Sequence, residues 1–307
     1  MKIISLSGAT VSPTGTSVAL GMFDGVHMGH RRIITAAKNK STELGISTSV
    51  LLFSSSPHGA PMLLPLNDRL EEIRALGVDF AYVYDFAELR DLAPEDFVKE
   101  VLADTLHAKA AFAGYNYHFG KMASGDAEML CTLCKASGMH CGITEEVDAL
   151  GAAVSSTRIR RLLTAGDMES ANTLLTYPYY LRETVAHGKA LGRKLGLPTI
   201  NQKFGARLIP AHGIYYTKAV IDGVEYPAVS NVGVRPTVEQ TDTANLETHI
   251  LDFDGDLYGK TVTVRFYQKG REEMTFDTVD ELKAAVDADC ARARAYFAKE
   301  EALCIRE

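Results

Sequence analysis

A chain of 307 residues, 46% hydrophobic and 23% charged, has the composition of an ordinary globular protein and the length for two domains with separate cores. Its formal net charge of −7 excludes a broad basic surface of the kind that binds nucleic acid or anionic membrane, although a few local donors suffice for a small phosphorylated ligand. The opening MKIISLSG carries one lysine and no long apolar run, and no stretch reaches the length of a membrane span, so the expectation is a cytoplasmic protein. Five cysteines, an odd number without a secretory pattern, are expected as free thiols; Cys131 and Cys134 form a C-x-x-C that lies within one helical pattern and lacks a second such pair for zinc.

In chain order, Val18–Met22 reads as a buried strand, Arg31–Leu44 as a helix and Ser47–Phe53 as a strand. Asn67 is expected to cap a helix running to Leu76, Phe80–Tyr84 is a strand, and Pro94 opens a helix to about Leu106. A short strand, Ala110–Ala113, ends at Gly114, and helices follow over Asp126–Ser137 and Thr157–Leu175. This alternation predicts a doubly wound parallel sheet covered on both faces. After Tyr177-Pro178-Tyr179 the pattern changes to short β runs at 213–221, 226–232, 246–253 and 261–267, with Asp222-Gly223 as a hairpin turn. That half predicts a small β-barrel closed by one helix, whose start is marked by the capping box Thr278/Glu281. The boundary is placed near residue 181, giving domains 1–180 and 181–307.

Phe23-Asp24-Gly25-Val26-His27-Met28-Gly29-His30 follows the first buried strand and opens the next helix, at the edge where parallel sheets bind ligands. Gly29 allows close backbone approach to a phosphate, and His27 and His30 can donate to a phosphoryl group that gains charge in the transition state, so H-x-G-H here argues for nucleotidyl transfer. Ser156 and Thr157 can cap a helix and bind phosphate oxygens, with Arg160 as a cation for a triphosphate; a plain cap with a solvated basic face explains the same residues. Asn116, in Gly114-Tyr115-Asn116-Tyr117-His118-Phe119-Gly120, is a candidate for ribose or phosphate, and a simple glycine-rich turn is the alternative.

In the second half, the run from His187 to Asn201 is glycine-rich and basic. Gly188 and Gly192 can wrap phosphates with backbone N–H groups, and Thr199 and Asn201 offer neutral oxygens to Mg²⁺. Glu247 is a carboxylate within the apolar run Leu246–Ile250, placed either to take a proton from an attacking alcohol or as an outward-facing residue of a half-buried strand.

Taken together, these segments resemble the bacterial bifunctional riboflavin kinase/FAD synthetase family across nearly the whole chain. The matching runs are Gly21–His30, Gly114–Gly120, Ser155–Arg160, Gly188–Asn201, Asn231–Thr237, Leu246-Glu247 and Asp252–Lys260. The resemblance implies an N-terminal nucleotidyltransferase domain and a C-terminal β-barrel kinase domain. It implies that the C-terminal half phosphorylates riboflavin with ATP and Mg²⁺, with Glu247 as base and Thr199 and Asn201 holding metal and phosphates. It further implies that the N-terminal half transfers AMP from ATP to FMN, releasing pyrophosphate, through His27, His30, Asn116, Ser156, Thr157 and Arg160.

One departure bears on that second reaction. Where the family has an acidic-Pro-His-Pro stretch, this chain has Ser54-Ser55-Ser56-Pro57-His58, so a riboflavin kinase with an impaired adenylyl-transfer site is the runner-up. Ile200 stands where alanine is usual, and Gly270 where an aliphatic residue is usual. A flavin sensor without turnover is a third reading, against which Thr199, Asn201 and Glu247 speak. A cytidylyltransferase-type enzyme is a fourth, and it leaves the β-rich half unexplained.

Overall fold

The computed structural model describes residues 1–5, 15–56, 59–187, 196–234 and 244–304. The chain forms two compact units, Met1–Ser156 and Thr157–Glu307.

The first unit is built on six parallel strands in the order β1-β4-β3-β2-β5-β6. They are β1 (Lys2–Ser5), β2 (Thr16–Leu20), β3 (Ser47–Phe53), β4 (Phe80–Tyr84), β5 (Ala108–Gly114) and β6 (His140–Thr144); a short helix α3 (Phe86–Leu89) follows β4, and β7 (Asp148–Ala149) and β8 (Ala152–Ala153) pair as a separate hairpin after β6. Every residue of β2 is buried, as the central strand of a sheet covered on both faces requires. Alternate residues feed two cores: Val18, Leu20 and Leu51 join one, and Ala19, Val50 and Leu52 the other. The first core is covered by α5 (Ala127–Ala136) and by the helix that α4 (Pro94–Asp96) opens. The second is covered by α1 (Met28–Leu44) and α2 (Leu66–Ala75). The doubly wound expectation therefore holds. The chain winds outward from β2 to β3 and β4, then returns to place β5 on the other side of β2. The carboxyl ends of β2 and β5 thus flank the point where winding reverses, which is where such sheets bind ligands.

Several local expectations are corrected. Asn67 does not cap α2: Pro65, extended at ψ 163°, is the cap residue, and Asn67 lies in the first turn. The helix after Pro94 widens into π-helical winding over Phe97–Thr105, where the Leu106 N–H bonds to Val101 five residues back, at 2.9 Å. The stretch 157–175 is two helices, α6 (Ser156–Ala165) and α7 (Met168–Leu175), broken at Gly166 (φ 84°). Cys131 and Cys141 are not free thiols. The turn after α5 passes through Gly138 (φ 71°) and brings β6 back beside the helix, leaving the two Cα atoms 5.0 Å apart and the sulfurs joined in a disulfide. Cys134 and Cys290 are free.

The second unit begins with α6 and α7. Both are tied into it: the Ala211 N–H bonds to Leu163 O (3.0 Å), and Asn172 Nδ2 donates to Phe266 O (2.8 Å). Six antiparallel strands follow in the order β10-β13-β12-β11-β14-β9. They are β9 (Tyr180–Thr184), β10 (Ile200–Lys203), β11 (Gly213–Ile221), β12 (Val224–Val234), β13 (Ala244–Ile250) and β14 (Thr261–Arg271). Beyond β9 the Ala186 N–H bonds to Asn201 O (2.8 Å), and Gln202 Nε2 donates to Glu183 O (2.7 Å), drawing the edge strands β9 and β10 together as a near-barrel. Asp222 (φ 50°) and Gly223 (φ 84°) form the tight turn between β11 and β12. The closing helix α8 (Val279–Cys304) starts at the expected capping box, with the Glu281 N–H donating to Thr278 Oγ1 at 3.2 Å and the Thr278 N–H to Glu281 Oε2 at 3.3 Å. It packs Ala293 and Phe297 on Tyr216, Val229 and Leu251. A Cβ on Gly270 would come within 2.9 Å of the Tyr216 ring, so glycine there gives that ring its place.

Candidate active sites

The first site grows from the turn after β2. Phe23 (φ 50°), Gly25 (φ 80°) and Val26 (φ 38°) all take left-handed backbone, and Phe23 and Val26 do so with their side chains fully buried. Such conformations persist only where the surroundings over-determine them. Here the surroundings are polar and specific. The buried Asp24 carboxylate accepts from the backbone N–H groups of Leu63 (2.9 Å) and Leu64 (3.2 Å). Ser156 Oγ donates to Asp24 O at 2.9 Å. Arg69, with no exposed surface, donates from Nη1 to Met22 O (2.8 Å) and from Nη2 to Phe53 O (3.1 Å) and Ser54 O (2.8 Å).

This frame holds two imidazoles. His27 is the cap residue of α1, and its Nδ1 accepts from the His30 backbone N–H at 3.4 Å, which puts the proton of the neutral ring on Nε2. The His27 and His30 rings stack with centroids 3.7 Å apart and an 18° tilt, and the edge of Phe23 meets His30 at 5.4 Å. Burial pushes His27 down to about 4. Burial, then His27, then the Arg69 guanidinium push His30 well below the usual imidazole range. Both rings are neutral at pH 7, so each keeps one ring N–H that can be donated. His30 Nδ1 is buried without a hydrogen-bond partner among the described residues. A Cβ at Gly29 would lie 3.2 Å from the His27 ring, so this glycine makes room for the imidazole.

Asn116 follows β5, across the reversal point. A Cβ on Gly114 would lie 3.3 Å from Asn116 Oδ1 and 3.5 Å from Ile33 of α1, so this loop stands against the helix that carries the imidazoles. Thr157 and Arg160 lie on α6, in the second unit. Ser54, Ser55 and Ser56 follow β3, and the Ser54 N–H is anchored on Tyr84 O at 2.8 Å. Pro57 and His58 lie outside the described residues.

The second site lies on the barrel. A cavity of about 340 Å³ is lined by Val185, Thr199, Ile200, Phe253, Leu257 and Tyr258, among others. His187 stacks on Tyr258, with centroids 4.1 Å apart, where the glycine-rich run begins. Gly188 and Gly192 lie outside the described residues. Asn201, two residues after Thr199, is buried, and its Oδ1 accepts from Asn245 Nδ2 at 3.1 Å. Across the strands, Asn201 of β10 is in register with Glu247 of β13, and Glu247 with Asn231 of β12. Burial alternates along β13, with Leu246, Thr248 and Ile250 inward and Glu247 among the half-buried residues of the outer face. The carboxylate is thus not enclosed by the apolar run that carries it.

Among the described residues no group of three or more His, Cys, Asp or Glu side chains is placed to hold a metal ion. The neutral oxygens of Thr199 and Asn201 suit Mg²⁺, which keeps several waters and takes its remaining ligands from substrate phosphates. Sequence reading missed Asp24 and Arg69 as the frame of the first site. The available signal was a charged residue, Arg69, in the apolar row Leu66, Leu70 and Ile73 of one helix.

Two families match the chain in tandem: FAD synthetase over residues 10–158 and riboflavin kinase over residues 175–297. A bifunctional riboflavin kinase/FMN adenylyltransferase from Pseudomonas fluorescens is 38% identical over 92% of this chain and 94% of its own. Its counterpart from Listeria monocytogenes is 36% identical over 98% of this chain and 100% of its own. A crystal structure described as a macrolide-efflux protein from Streptococcus pneumoniae superposes with a TM-score of 0.87 at 29% identity, covering 96% of this chain and 99% of that one. Among the described residues, no helix is long and apolar enough to cross a membrane.

Proposed function

This chain belongs to the bifunctional riboflavin kinase/FMN adenylyltransferase family, and we propose from that premise that it carries two separate active sites, one for each reaction. The observation that carries the proposal is the presence of two separate constellations, the stacked neutral imidazoles at the start of α1 and the register pair Asn201 of β10 and Glu247 of β13, with Thr199 just before β10.

In the second unit, riboflavin's ribityl hydroxyl attacks the γ-phosphoryl of ATP. The hydroxyl proton passes to Glu247, the new O–P bond forms on the γ-phosphorus, and the bond to the β-phosphate breaks to release ADP. Glu247 suits this role because its carboxylate lies on the half-buried outer face, beside the polar side chains of Asn201 and Asn231. Thr199 and Asn201 would hold Mg²⁺, which when bound neutralises charge on the phosphates. The cavity bordered by Thr199 would take the nucleotide.

In the first unit, a phosphate oxygen of FMN attacks the α-phosphoryl of a second ATP, and the bond to the β-phosphate breaks to release pyrophosphate. An FMN phosphate is already ionised at neutral pH, so no enzymic base is needed. The His27 Nε2–H and the His30 ring stabilise the charge that grows on the α-phosphoryl oxygens. Neutral donors fixed in a partly dehydrated frame do this without reorganising. Asn116, Ser156, Thr157 and Arg160 would bind the rest of the ATP. We place the functional division at residues 180/181, where the β-rich pattern begins, and the enzyme in the cytoplasm.

Incubating the purified protein with riboflavin, ATP and Mg²⁺ and following flavins by chromatography tests the proposal. FMN should appear first and FAD after it. FMN without FAD would leave a riboflavin kinase whose Ser54–Ser56 segment has disabled the second step.

A further inference from the structure

Arg69 is buried completely, and it donates hydrogen bonds to three backbone carbonyls while the Asp24 carboxylate acts on it through its charge. A guanidinium at zero exposure is expensive to bury even with a carboxylate near it, and its planar fork can bridge several carbonyls at once where a neutral side chain cannot. Of the three carbonyls, Met22 O belongs to the exit of β2, and Phe53 O and Ser54 O belong to the exit of β3. One planar group therefore spans the two strand exits. The first exit leads directly into Phe23–His27, which carries the imidazole pair. The second leads into Ser54–Ser56, the segment that replaces the family's acidic-Pro-His-Pro stretch.

We propose that Arg69 is a positioning residue of the adenylyl-transfer site, a clamp that fixes the spacing between the imidazole-bearing turn after β2 and the serine segment after β3. The inference rests on the reading that this unit transfers AMP to FMN. In this chain Ser55 stands in place of the first proline of that stretch, so one residue that would stiffen the segment by its own fixed φ is missing. The guanidinium supplies that stiffness from below, by holding the last carbonyl of β3 and the first beyond it. The spacing matters because in-line attack needs the reacting atoms within a fraction of an ångström of their productive positions, and a 1 Å misplacement costs on the order of 10²-fold.

The test compares Arg69→Lys with Arg69→Met in the full chain, measuring FAD formation from supplied FMN, ATP affinity, thermal unfolding and riboflavin phosphorylation in the same preparations. Lysine keeps the charge but reaches one carbonyl where arginine spans three. For Arg69→Lys the expected result is a fall in kcat for FAD formation of about tenfold or more at saturating FMN and ATP. The KM for ATP should stay within about threefold, and riboflavin phosphorylation should be unchanged. Arg69→Met should fall further if it folds, and if it does not fold, the lysine variant decides. A kcat for Arg69→Lys within twofold of the parent overturns the clamp. So does a loss that appears as weaker ATP binding or falls equally on both activities. If the parent itself makes no FAD from FMN, the reading beneath the proposal fails and the clamp falls with it. A parent that makes FAD beside an equally active lysine variant removes the clamp alone.

Discussion

His27 and His30 stack at 3.7 Å in a buried turn, and protonating either ring would bring charge into a site already under the influence of the Arg69 guanidinium. The consequence for stability has a definite sign. The unfolded chain holds His27 at 6.5 and the folded chain holds it near 4, so between these values the unfolded state binds more protons. Stability from this ring is complete above pH 6.5 and is lost as pH falls toward 4, by about 3 kcal/mol at the acid end. His30, lowered in the same direction, adds to the loss. Thermal unfolding followed from pH 7 to pH 4.5 should therefore show a fall that is smaller in His27→Gln than in the parent. An equal fall in both would mean that the ring is not held neutral by its burial.

At the scale of elements, what was legible in the sequence followed from burial. β2, β3 and β4 announce themselves because both of their faces are covered and each carries an unbroken run of apolar and aromatic residues, 18–20, 50–53 and 80–84. β1, β6, β9 and β10 did not, being short strands at sheet edges with mixed exposure, such as β6 with His140 exposed and the rest half-buried. The imidazole turn was legible because His-x-Gly-His after an apolar run is a local pattern. Arg69 and Asp24 were not, because their partners lie 15 to 47 and 39 to 40 residues away in sequence, and no local pattern reports a contact made across two strand exits. The Glu247 row was half legible: alternation puts the residue on one face, but only strand register puts Asn201 and Asn231 beside it. The Cys131–Cys141 bond was hidden by the apparent pairing of Cys131 with Cys134 on one helix, where Cys134 instead turns fully into the core. That bond closes a loop across a sequence separation of 10 and ties α5 to β6. Reducing it should cost the first unit about 3 kcal/mol at most. Peptide mapping of the unreduced protein should recover the two cysteines cross-linked, and unfolding in a dithiol should begin at a lower temperature. Recovery of both as free thiols would remove this tie.

For the molecule as a whole, the two units differ in architecture as well as chemistry. One is a parallel sheet that presents neutral donors at the reversal of its winding. The other is an antiparallel near-barrel that presents a carboxylate and neutral oxygens on neighbouring strands. Nothing in either constellation requires the other for its own bond-making, so damage to one should leave the other working. Glu247→Gln should lower FMN formation by about 10² or more while FAD formation from supplied FMN persists. His30→Ala should lower FAD formation by about 10² or more while riboflavin phosphorylation persists. The most direct measurement mixes these two variants, each unable alone to carry riboflavin to FAD, and supplies riboflavin, ATP and Mg²⁺. FAD appearing in the mixture is the expected result, since FMN released by one protein is the substrate of the other. A mixture that yields none, or a single variant that has lost both activities while still folded, would contradict the assignment of one reaction to each unit.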